Sequence, residues 1–147
     1  MSETAAETFQ FGFVCVQNAG RSQMSTAFAE REVERRGLDD RVQIVTGGTH
    51  PADHVHEEVV TVMDELGIDL SDRTPREVST ETLNACDVVA TMGCSTLELE
   101  DSIEVLDWAL DDPGGADPDR VREIRGEVER RVRALFDEFE REVPADV

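Results

Sequence analysis

Short apolar runs rich in β-branched and aromatic residues alternate along the chain with stretches whose apolar residues recur at helical spacing, and this alternation leaves few architectures open. Residues 11–16 read as a buried strand, 42–46 as a second, 87–92 as a third and 103–108 as a fourth. The intervals read as helices. Met24, Ala27 and Phe28 begin one that ends near Gly37. Val55, Val59, Val62, Met63 and Leu66 mark another, with Gly67 as its cap, and residues 80–85 form a short one. Gly47-Gly48 reads as the turn that ends the second strand. Asp117-Pro118 supplies an N-cap and a first residue to a long last helix, whose apolar face is Val121, Ile124, Val128, Val132, Leu135, Phe136 and Phe139. Strands that alternate with helices pair in parallel through right-handed crossovers. The expected fold class is therefore α/β, three layers, with a four-stranded parallel sheet and helices on both faces.

With 147 residues and 39% hydrophobic content, the chain has material for one packed core. Residues 1–10 are expected to be a flexible tail and 11–143 a single domain. The net charge is -20, and all 14 basic residues are arginine. That balance resembles proteins of salt-loving organisms. Such a field repels nucleic acid and anionic lipid, and only high ionic strength, with a Debye length of about 3 Å at 1 M, mutes it. No nucleic-acid partner and no membrane association are expected. The first ten residues lack the basic start and apolar stretch of a secretory signal, so the expected location is cytoplasmic. Three cysteines without an export signal argue for reactive or buried thiols rather than a disulfide framework.

Cys15 and Arg21 are separated by five residues, Val16, Gln17, Asn18, Ala19 and Gly20, in a loop between a strand and a helix. The spacing alone is weak, since about 0.3 such pairs arise by chance from this composition. The setting is what matters. A loop of this length that closes onto a helix N-terminus turns backbone N–H groups toward one point and makes a nest for an oxyanion. Arg21 adds a planar fork of donors. The same field favours a thiolate, because helix N-termini and cations bring thiol pKa values from about 8.5 into the range of about 3.5–7.5. Cys15 is thus a candidate nucleophile. Ser22 can donate its hydroxyl to the thiolate, Asn18 can hold a left-handed loop residue with side-chain bonds that reach toward Thr46, and Gly20 allows the loop to curl. His50, His54 and His56 lack a cysteine partner nearby and read as loop and helix-cap residues; no metal is expected.

The stretch Val14-Cys15-Val16-Gln17-Asn18-Ala19-Gly20-Arg21-Ser22-Gln23-Met24 closely resembles the phosphate-loop motif of low-molecular-weight tyrosine phosphatases and their arsenate-reductase relatives. Thr46-Gly47-Gly48-Thr49, Gly67-Ile68-Asp69-Leu70-Ser71, residues 87–94 and residues 108–113 agree in order, so the resemblance runs from about 11 to 139. It implies the low-molecular-weight phosphatase fold. By residue, it implies Cys15 as nucleophile, Arg21 as oxyanion clamp, Ser22 and Asn18 as loop supports, and Asp112 as general acid. Asp111 competes for that last role. A carboxyl beside the anion can protonate the departing oxygen.

The continuation Arg21-Ser22-Gln23-Met24 resembles the reductase branch, as phosphatases usually carry proline after the serine. Residues 108–113 also look like the reductase version of the acid loop, and the chain has no tyrosine to grip an aryl substrate. Cys94 follows Thr91-Met92-Gly93 as a resolving thiol does in thioredoxin-coupled reductases, yet residues 95–108 lack the further cysteine those enzymes carry. Cys86 precedes the third strand and Cys94 follows it, too far apart for the usual ~4.4–6.8 Å Cα separation of a disulfide. Cys86 reads as structural. The expected activity is therefore reduction of arsenate through a thiolate adduct, with no bound cofactor and an external donor: a small-molecule thiol, or a thioredoxin- or glutaredoxin-type reductant. Phosphomonoester hydrolysis through a cysteinyl-phosphate is the alternative, and a non-catalytic oxyanion-binding regulator is the third reading.

Overall fold

The computed structural model describes residues 8–92, 103–108, 110, 111 and 113–142. Cys94 and Asp112 lie outside the described residues. The element order is β1 (Phe9–Cys15), α1 (Arg21–Arg36), β2 (Val42–Gly48), α2 (Glu57–Asp64), α3 (Thr80–Asn84), β3 (Val88–Met92), β4 (Glu104–Asp107) and α4 (Pro118–Glu142). The strands form one sheet in the order β2-β1-β3-β4, and every pairing is parallel. This is the α/β arrangement expected. β1 lies inside the sheet, and its last five residues are all buried, as a strand covered on both faces must be.

The pleat divides the core. Phe11, Phe13 and Cys15 face one side, where they join Met24 and Phe28 of α1, Val59 and Met63 of α2, and the apolar face of α4. Val14 and Val89 point to the other side and pack with Leu83, Cys86 and Ile103. Every residue assigned to the apolar face of the last helix is buried, each contributing about 1.5–3 kcal/mol relative to exposure. Aromatic rings link the layers, with Phe11 5.1 Å from Phe136 and Phe9 4.9 Å from Phe139 between centroids. At the start of α4, Asp117 Oδ1 accepts from the Arg120 N–H at 2.9 Å, the cap read from Asp117-Pro118.

Among the boundaries that differ from the sequence pattern, three have a physical reason in the packing. Phe9 and Gln10 belong to β1 rather than to a tail: the Phe9 N–H bonds the Arg41 carbonyl at 2.8 Å, and the Phe9 ring packs on Phe11. β2 continues through Gly47 and Gly48, which pair with Val14 and Cys15 instead of turning. These glycines serve close approach. A Cβ on Gly47 would lie 2.4 Å from Val78 Cβ, and one on Gly48 would lie 2.6 Å from the Val16 carbonyl oxygen. α2 is shorter than its apolar spacing implied. Val55 is buried ahead of it, Leu66 follows it 40% exposed, and Gly67 takes the left-handed φ of 77° that closes the turn.

Candidate active site

Parallel α/β sheets gather ligands at the carboxyl ends of their strands. Cys15 is the last residue of β1 and is aligned with Gly48, the last of β2, and Met92, the last of β3. Residues 16–20 then curl into α1. Gly20 caps that helix with no side-chain hydrogen bond, and its first turn holds no acidic residue, in a chain with 34 of them. The donor end of α1 is thus left to whatever sits in the loop.

The sulfur of Cys15 is at the focus. Its Sγ lies 2.9 Å from Ser22 Oγ and 3.2 Å from the backbone nitrogen of Asn18, whose N–H points at it. Ser22 Oγ also accepts from Asn18 Nδ2 at 2.7 Å, so with the sulfur ionised its own hydrogen goes to Sγ. Asn18 is the only described non-glycine residue with positive φ, at 52°. Its Nδ2 also donates to Thr46 Oγ1 at 3.0 Å, as anticipated, and Thr46 in turn donates to the Phe13 carbonyl at 3.1 Å. Its Oδ1 accepts from the Arg76 N–H at 3.0 Å and from Gln23 Nε2 at 3.1 Å. Donors on one atom and acceptors on the other fix the amide's orientation.

The outer rim is laced to residues 49–56. The N–H groups of Thr49, His50, Ala52 and His56 donate to the carbonyls of Cys15, Val16, Gln17 and Ala19. With those carbonyls satisfied by residues 49–56, the loop is held from one side, while the Asn18 N–H points at the Cys15 sulfur. The histidine segment is therefore a brace. Among the described residues no cluster of His, Cys, Asp or Glu is placed to hold a metal ion.

Leu110 and Pro113 reach the same place. Arg21 Nη1 donates to the Leu110 carbonyl at 3.0 Å, and a Cβ on Gly20 would meet Pro113 Cγ at 2.8 Å. Glycine here lets Pro113 lie directly on the loop. Asp112 sits between these two contacts in the chain but lies outside the described residues. Asp111 is turned away: its Oδ2 pairs with Arg120 Nη2 at the start of α4. Cys86 is not part of the site. It packs with Val14 and Leu83 on the opposite face of the sheet, where burial above all, and then the Asp87 charge, push its thiol up to about 11.

Of the residues singled out from the sequence, Cys15, Asn18 and Ser22 are joined by hydrogen bonds, the Arg21 guanidinium lies on the Leu110 carbonyl, and Gly20 lies in the curl against Pro113. Sequence reasoning missed Gln23, whose buried amide bonds Asn18, and the backbone groups of Arg76 and Leu110. A polar residue in the first turn of a buried helix was the only available signal for Gln23. Backbone donors leave none.

Residues 10–145 match the family model described as low molecular weight phosphotyrosine protein phosphatase. A Halobacterium salinarum protein named "Putative arsenate reductase" is 71% identical over 137 residues, covering 92% of this chain and 96% of that one. A glutaredoxin arsenate reductase of Synechocystis sp. is 33% identical over 130 residues, 84% of this chain and 93% of that one. Among solved structures, a thioredoxin-dependent arsenate reductase of Corynebacterium glutamicum superposes with a TM-score of 0.75 at 29% identity, over 92% of this chain and 64% of that one. The match spans nearly the whole chain and includes the complete loop from Cys15 to Ser22, so this protein belongs to the low molecular weight phosphotyrosine protein phosphatase family.

Proposed function

We infer that the chain is an arsenate reductase in which the Cys15 thiolate attacks arsenate and an external thiol resolves the adduct. The observation that carries the chemistry is the pair of donors on Cys15 Sγ, from Asn18 N and Ser22 Oγ, at the uncapped N-terminus of α1. The choice of arsenate rests on the 71% identical relative and on the lack of any tyrosine for an aryl substrate. Cys15 is 2% exposed, so the reactant must enter the loop, which suits a small tetrahedral anion.

In the first step a sulfur–arsenic bond forms and an arsenic–oxygen bond breaks. Asp112, as general acid, gives the leaving oxygen its proton, and water departs. Arg21 leaves the Leu110 carbonyl and holds two oxygens of the adduct. A donor thiolate then attacks Cys15 Sγ. A disulfide forms, the sulfur–arsenic bond breaks, and its electron pair stays on arsenic, which departs as arsenite. A second donor thiol frees Cys15 and releases the oxidised donor. Two thiols are thus oxidised for each arsenate reduced. The donor is a small-molecule thiol or a thioredoxin- or glutaredoxin-type protein, and the location is cytoplasmic.

Purified protein supplied in parallel with arsenate plus each thiol system, and with a phosphotyrosine peptide without thiol, tests this reading. Arsenite should appear only with both arsenate and a donor. Multiple turnovers on the peptide, with no arsenite under any donor, would replace it with the phosphatase reading.

A further inference from the structure

The first turn of α1 holds a buried polar residue for which the steps above have no use. Gln23 is 2% exposed, and its Nε2 donates to the Asn18 carbonyl at 3.0 Å and to Asn18 Oδ1 at 3.1 Å. Its Oε1 is buried with no partner among the described residues. Burying a lone acceptor costs free energy that an apolar side chain of the same length would avoid, so the donors are what this position supplies. Both hydrogens go to a single residue, and that residue is the one in the left-handed region at φ 52°. L-residues other than glycine enter that region at a cost, so it persists only when its surroundings hold it there.

We propose that Gln23 is a positioning residue for the Cys15 thiolate, acting through Asn18. The Asn18 carbonyl and Oδ1, gripped together, fix both the peptide plane and the side-chain rotamer. The rotamer aims Nδ2 at Ser22 Oγ, which leaves the hydroxyl hydrogen for Cys15 Sγ. The backbone conformation aims the Asn18 N–H at the same sulfur. Both donors on the nucleophile therefore depend on one amide. Arg76 N and Thr46 Oγ1 also hold the Asn18 side chain, so losing Gln23 weakens this arrangement without abolishing it. The proposal rests on Cys15 being the nucleophile but not on which oxyanion it attacks.

Gln23→Met keeps the length and removes both donors, while Gln23→Glu keeps the shape and sets an acceptor against Asn18. The pH profile of iodoacetamide alkylation of Cys15, followed on its own peptide by mass spectrometry, reads the thiolate with no oxyanion present. Failure of the arsenate reading would therefore leave this result standing. The pH of half-maximal alkylation should lie about one unit higher in the methionine variant than in wild type, the shift carried by one ordinary hydrogen bond, and higher still in the glutamate variant. Exposure of the sulfur by a loosened loop would instead raise the plateau rate. An unchanged or lower half-maximal pH in the folded methionine variant overturns the proposal. Should neither variant fold, the wild type carries the test. The Gln23 side-chain amide hydrogens should be protected from exchange and should shift with the Asn18 N–H as inorganic phosphate is titrated. An amide pair that exchanges freely and ignores phosphate overturns it.

Discussion

Two hydrogen bonds to one sulfur set what single substitutions at the site should do. Ser22→Ala removes the hydroxyl donor at 2.9 Å, and the turnover number should fall by about tenfold or more, as loss of one charge-assisted bond predicts, with little change in the thermal midpoint. Steady-state kinetics beside a melting curve checks this, and a wild-type turnover number would remove Ser22 from the chemistry. The two neighbouring aspartates separate cleanly. Asp111 is engaged by Arg120, so Asp111→Asn should leave turnover nearly intact, whereas Asp112→Asn should slow it by about 100-fold or more if it is the proton donor. The reverse ranking would move the acid role to Asp111. Cys86 gives a different signal, because burial holds it as a thiol up to about pH 11. Iodoacetamide at pH 8 should therefore modify Cys15 and spare Cys86. The sign for stability follows: Cys86 contributes fully below the unfolded thiol value near 9, and that contribution is lost as pH rises toward about 11.

Elements meet at the site through contacts that tolerate no extra atom. Gly48→Ala would drive a Cβ to 2.6 Å from the Val16 carbonyl oxygen and 2.9 Å from the Asn18 nitrogen. Neither is a flexible chain end, so β2 or the loop must shift, at about 1–3 kcal/mol as overpacking usually costs, with most activity lost. Urea unfolding and turnover together measure this. Farther out, Arg122 and Arg125 of α4 grip Glu65 just past α2, and their hydrogen bonds lower its carboxyl to about 2. A depressed carboxyl stabilises the fold above its unfolded value near 4.5 and loses that effect as pH falls toward about 2. Glu65→Gln should therefore melt below wild type at pH 7 and converge with it near pH 2, as a thermal series would show. These contacts also mark what the sequence could reveal. Strand and helix order was legible because parallel inner strands are continuous apolar runs and α4 is amphipathic. The loop was legible because a cysteine, an arginine and a helix start fall within a few residues. Gly47 and Gly48 misled because close approach and turning select the same residue. The Arg76 N–H and the Leu110 carbonyl were invisible, since a backbone group carries no sequence signature.

For the whole molecule, the charge of -20 must be screened, and the described arginines mostly pair with acids, as Arg36 does with Glu32, Asp137 and Glu140. Exposed pairs of this kind contribute only about 0–1 kcal/mol each, far too little to offset the repulsion of such a field. The thermal midpoint should therefore rise steadily from 0.1 M to about 2 M potassium chloride as the Debye length shrinks from about 10 Å to below 3 Å. A midpoint that falls over this range would contradict the electrostatic account. The same field repels an anionic substrate on its approach to the Cys15 loop, and salt screens that repulsion. Turnover should rise with salt as well. The central claim, that a donor thiol attacks the arsenic-bound Cys15 sulfur and arsenic leaves as arsenite, is tested most directly by halting the reaction with acid and weighing the peptide that contains Cys15. With arsenate and a small-molecule thiol, that peptide should carry the donor as a mixed disulfide, in amounts that track arsenite formed and vanish without arsenate. A Cys15–Cys94 disulfide in its place would contradict external resolution, and an unmodified Cys15 with no arsenite would contradict the arsenate chemistry altogether.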